Sequence, residues 1–127
     1  MKAALSDLDD SSLASLGAEA ARLVCSGDID ALHAKFGYAL AFNRDPVNAL
    51  KDDLADVLAE LGERRFVEQD PPAVTVSHFK QSTIGLISLV ECLLTLVNGR
   101  QVLVELVLSG GGGSEAWFTL EQISAVT

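Results

Sequence analysis

The chain has 127 residues, of which 18 are acidic and 9 basic, for a formal net charge of −9 and a pI near 4.4. That length suits a single domain spanning residues 1–127 with a sizeable core, and the charge repels nucleic-acid backbones and anionic membrane surfaces. Apolar residues make up 49% against 21% charged, a balance that points to a soluble protein with an oligomer surface to hide.

In chain order, the acidic Asp7, Asp9 and Asp10 precede a helix expected to start at Ser11 or Ser12, because negative charge suits a helix N-terminus. Leu13, Leu16, Ala20, Leu23 and Val24 then fall at helical spacing up to Gly27. Asp28 can cap a second, short helix with Ile29, Leu32 and Phe36 on one face, closing near Gly37. Residues 38–44 read as an extension of that helix or as a loop, since Tyr38, Leu40 and Phe42 alternate while Ala39 and Ala41 favour helix. Asp45-Pro46 opens a third helix, with Asp as N-cap and Pro where its missing N–H costs nothing. It runs to Leu61, with Val47, Leu50, Leu54, Val57, Leu58 and Leu61 inward, and stops at Gly62. Its outer row of Asp52, Asp56 and Glu60 lacks the loop and glycine of a calcium site and reads as a solvated face that only Lys51 and Arg64 could relieve. Residues 62–72 form a polar connection.

Four strands follow: residues 73–80, 84–97, 101–108 and 116–126. The two central runs meet at Asn98-Gly99, a strong hairpin signal. Alternation puts Leu86, Val90, Leu94 and Leu96 on one side and Ile87, Leu89, Leu93 and Val97 on the other, so both faces are apolar. The helices can cover one face; the other needs a second cover, and a symmetry mate would supply it, which predicts a homodimer through the sheet face. The glycine run 110–113 reads as a hairpin tip, without the Lys-Ser/Thr of a phosphate loop. Cys25 and Cys92 are too few for a disulfide framework and read as reduced, buried small hydrophobes. No apolar stretch is long enough to span a bilayer and residues 1–10 lack the apolar core of a secretory signal, so the cytoplasm is the expected compartment.

Three helices followed by a four-stranded antiparallel meander is an α+β layout. That order, the stretch Ser26-Gly27-Asp28-Ile29-Asp30-Ala31-Leu32, the long Asn98-Gly99 hairpin and the aromatic-led last strand together resemble the NTF2-like superfamily (cystatin-like fold, SnoaL/ketosteroid-isomerase-like) over nearly the whole chain. The resemblance implies a strongly curved sheet wrapped round a long helix as a cone, a ligand pocket inside it, and dimers through the sheet. It implies no single activity, because the superfamily holds isomerases, dehydratases, epoxide hydrolases, transport adaptors, immunity proteins and non-catalytic binders.

An isomerase of that type needs a carboxylate base and an oxyanion donor pair in an apolar cone. The single tyrosine is Tyr38, and the strand acids are Glu91 and Glu105. A two-residue Asn98-Gly99 turn sets Val97 opposite Arg100, hence Glu91 opposite Leu106 and Glu105 opposite Cys92, which sends the two glutamates to opposite faces and argues against a paired-carboxylate mechanism. His33, His78, Cys25 and Cys92 contain no close pair for zinc, so no metal is expected, and no cofactor. Ser77 and Ser88 have neither a G-x-S-x-G setting nor an evident base. Tyr38, Phe42, His78, Glu91, Glu105 and Trp117 are the residues that could line a cone mouth among Leu and Val walls; the competing expectation is that these rings fill a closed core. Three functions are consistent with this: a non-catalytic homodimer that binds a small apolar ligand or a protein partner, an isomerase, dehydratase or hydrolase using one carboxylate or histidine, and an acidic immunity-type inhibitor of a basic toxin. Nucleic acid and membrane are not expected partners.

Overall fold

The computed structural model describes residues 1–80, 84–110 and 113–127. Helix α1 (Asp10–Ser26) is capped by Asp9, whose Oδ1 accepts the Ser12 N–H at 2.8 Å, so the helix begins just before the serines and an aspartate caps it. Gly27 closes it at φ +73°. Helix α2 (Ile29–Phe36) starts at Asp28, which accepts the Ala31 N–H at 3.3 Å. Helix α3 (Pro46–Leu61) starts at Asp45, which accepts the Asn48 N–H at 3.0 Å, with proline in the first turn as the sequence requires. Residues 38–44 are a loop containing one short 3₁₀ turn, and Phe42 and Asn43 take positive φ values of 44° and 61°.

The sheet has five strands, not four. Strands β1 (Lys2–Ala4), β2 (Ala73–His78), β3 (Leu86–Thr95), β4 (Gln101–Gly110) and β5 (Glu115–Val126) lie in the antiparallel order β1-β5-β4-β3-β2. The extra strand pairs Lys2 with Trp117 and Ala4 with Glu115; three residues are too few to show a period in sequence. Of the predicted glycine tip, Gly110 ends β4, while Gly111 and Gly112 lie outside the described residues.

All three helices lie against one face of the sheet: α1 on β2 and β3, α3 on β4 and β5, α2 on β5. On that face Val90, Leu94, Val104, Leu106, Phe118 and Leu120 are no more than 2% exposed. Helix α1 comes close at Gly17, where an added Cβ would stand 2.7 Å from Val90 Cγ1. Phe36 meets Phe118 edge to face at 5.9 Å. Cys92 is fully buried and donates to the Gly17 carbonyl at 3.3 Å, whereas Cys25 is exposed, contrary to expectation, because it sits one position round α1 from buried Val24.

The expected alternation holds in β3 for Val90 and Leu94 inward and Leu89 and Leu93 outward, and continues to Leu96, inward just beyond the strand. It fails at the strand's start, where an irregularity between Leu86 and Ser88 pairs Leu86 with Ser109 and turns Ile87 to the core. The hairpin register also departs from expectation. Gly99, at φ +87°, donates to the Leu96 carbonyl at 2.8 Å, and Leu96 donates to the Arg100 carbonyl at 2.7 Å. The connection is therefore the three residues Val97, Asn98 and Gly99, one more than a two-residue turn, and Thr95 pairs with Gln101. A one-residue slip reverses face assignments. Glu91 stands opposite Glu105, and the two glutamates share one face.

Candidate functional site

The face of the sheet away from the helices has no element over it among the described residues. Its middle row runs Thr75, Glu91, Glu105, Gln122 across β2 to β5. On one side of that row lie Leu93 and Leu103, and on the other Leu89 and Val107, all half-buried and none packed against the core. Trp117 is 47% exposed towards one corner, beside Lys2, whose Nζ lies 5.8 Å from the indole centroid and 3.0 Å from Glu115. Directly opposed residues in an antiparallel pair hold their Cβ atoms about 4.5–5.5 Å apart. Glu91 and Glu105 therefore leave adjacent strands side by side on one face, and neither has an ion-pair partner among the described residues. Burial pushes the Glu105 carboxyl above its ordinary value, and the charges of Glu91 and Glu121 push it the same way.

Tyr38 belongs to the core, 8% exposed, and its hydroxyl donates to Asp53 Oδ2 at 2.5 Å. Arg44 forks onto the same carboxylate at 3.0 and 3.1 Å and donates to the Leu40 and Ala41 carbonyls, which straps the 38–44 loop to α3. Burial, then the bond to Asp53, holds the Tyr38 phenol far above its usual value, and the Arg44 guanidinium holds Asp53 below the carboxylate range. The tyrosine hydroxyl is therefore committed to the fold rather than aimed at a substrate. Phe42, at the crest of this loop, is 74% exposed.

His78, at the end of edge strand β2, joins two residues that sequence reasoning did not connect to it. Its Nδ1 lies 2.7 Å from Ser88 Oγ and its Nε2 2.7 Å from Asp10 Oδ1. With Asp10 accepting from Nε2–H, Nδ1 accepts the Ser88 proton, so a base for Ser88 is present after all. Ser88 is 1% exposed on the core side, which supplies a proton acceptor without an approach for a substrate.

A cleft of about 650 Å³ opens between the C-terminal half of α1 and residues 66–72, walled by Arg22, Cys25, Phe66, Asp70, Pro72 and Leu94. It exists because residues 65–67 pair with the end of β3 (Val67 N–H to Thr95 O at 2.8 Å, Val97 N–H to Arg65 O at 2.9 Å) and β2 resumes only at Ala73. The intervening residues arch away, tied to α1 by Arg22 and Asp70 at 3.3 Å. Of the six residues expected to line a cone mouth, Glu91, Glu105 and Trp117 share the open face, Tyr38 and Phe42 belong to the 38–44 loop, one buried and one exposed, His78 ends β2, and none of the six borders this cleft.

Among the described residues no three His, Cys, Asp or Glu side chains are grouped to hold a metal, and no helix is long and apolar enough to cross a membrane. No family model, curated protein or solved structure matches this chain.

Proposed function

We propose that the protein is a non-catalytic binding domain of the NTF2-like type whose working surface is the open face of its sheet, with a protein as occupant. The observation that carries this is the one-sided cover: Leu89, Leu93, Leu103 and Val107 stand half-buried on a five-stranded sheet with no element above them among the described residues. Four strand spacings by ten residues make a face of roughly 600 Å², close to the roughly 800 Å² that one side of a stable complex contributes. The helix side is filled by its own side chains, which favours binding on the sheet over binding inside a cone. A small ligand would find room instead in the cleft beneath residues 68–72. A second copy of the chain could cover the face, but a two-fold contact there sets the Glu91 and Glu105 carboxylates against those of the other copy.

The test is Nile red emission and light scattering on the wild type and on the double variant Leu93→Ser, Leu103→Ser. Dye enhancement that disappears in the folded double variant supports the reading, and a mass that halves with it makes the occupant a second copy. Dye and mass both unchanged would sink it.

A further inference from the structure

The open face carries a feature that an apolar occupant alone does not explain. Like charges placed directly opposite each other on a sheet oppose folding, yet Glu91 and Glu105 occupy the centre of this face with Glu121 close by. Lys2, a cation on this face, lies beside Trp117 near its corner and is paired with Glu115. Any protein that covers the Leu93–Leu103 and Leu89–Val107 rows also strips water from the two carboxylates between them. If it brings no cation, it buries two unpaired like charges.

Resting on the reading of the open face as a protein-binding surface, we propose that the occupant is a protein segment that sets an arginine or lysine between Glu91 and Glu105 while its apolar side chains cover the leucine rows on either side. The planar guanidinium fork suits the site best, because two carboxylates on opposed strands are close enough to share one group with several in-plane donors. The chain's charge of −9 draws such a partner in from a distance. A second copy of this chain, itself at −9, is repelled rather than drawn in.

The chain's one tryptophan, Trp117, is on this same face and reports occupancy. Two synthetic peptides of equal length are titrated against the protein by calorimetry and Trp117 emission, one alternating leucine with arginine and the other leucine with glutamine. The arginine peptide is expected to bind and to shift the emission. Glu91→Gln with Glu105→Gln is expected to weaken it by about tenfold or more, equivalent to the loss of one charge-assisted contact. The triple variant Asp52→Asn, Asp56→Asn, Glu60→Asn, which removes more charge from the exposed row on α3, is expected to weaken it by less than about threefold by way of long-range attraction. If the triple variant weakens it as much as the double, the attraction is unspecific and the proposal fails. If the glutamine peptide binds as tightly as the arginine peptide and Leu93→Ser with Leu103→Ser abolishes both, the open face is a docking surface but the cation is not what it selects. If neither peptide binds, the proposal is overturned, and the dye experiment decides separately whether the face itself is a binding surface.

Discussion

Each strand of this sheet serves two environments that differ by one residue position. In β4, Val102, Val104, Leu106 and Leu108 are sealed under the helices at no more than 2% exposure, while Gln101, Leu103, Glu105 and Val107 face away from them. Among the described residues the helix side contains one buried polar residue, Ser88, and it has a partner, while the open side holds two opposed carboxylates without an ion-pair partner. Buried polar groups that are satisfied belong to folding, and the proposed docking surface rests on the opposite pattern, opposed charge amid half-buried apolar side chains. The sharpest way to break this contrast is to truncate a leucine on each side. Leu106→Ala should cost about 3 kcal/mol in urea denaturation, whereas Leu103→Ala should cost less than about 1 kcal/mol. Equal losses would mean that the open face is covered in solution by another copy of the chain.

The contrast extends to the carboxylates. Asp53 is bonded to Tyr38 and forked by Arg44, and it sits below its ordinary value chiefly because of the Arg44 bond. A depressed carboxyl stabilises the fold above its unfolded value and loses that contribution as pH falls through its folded one. Asp53→Asn should therefore lower stability by about 1–2 kcal/mol at neutral pH, the range for a hydrogen bond to a charged group reduced for partial exposure. The deficit should close in strong acid, where the wild type has lost the same charge. Urea midpoints at neutral pH and in acid check both halves.

How much of this was readable in the sequence depends on the range of the contacts. The helices were legible because their signals are local: Asp28 and Asp45 each cap a helix three residues from the N–H they accept, and Gly27 and Gly62 close the helices they follow. The α+β class followed from the same local periods. What was lost lay in parity and distance. One extra residue in the Val97–Gly99 connection moved Glu91 from opposite Leu106 to opposite Glu105, and the dipeptide Asn98-Gly99 is compatible with either loop length. His78 finds Asp10 across 68 positions and Tyr38 finds Asp53 across 15, neither at a spacing that any motif prescribes.

The smallest expected effect is also the most direct probe of the open face. Glu105 lies above its ordinary value of 4.5, chiefly through burial and then through Glu91 and Glu121. A carboxyl raised in the folded state favours folding when protonated, so its contribution is full below its unfolded value and is lost as pH rises through its folded one. This slope is opposite to that of Asp53. Glu105→Gln stays neutral at every pH, so it should raise Tm at neutral pH by on the order of 2 °C, and the gain should vanish well below 4.5, where the wild-type carboxyl carries its proton. Thermal scans of both proteins across that range read the difference directly. A Tm that falls at neutral pH would place a cation already against Glu105 in the free protein, and the distinction between a satisfied side and an unsatisfied side of the sheet would break at its centre.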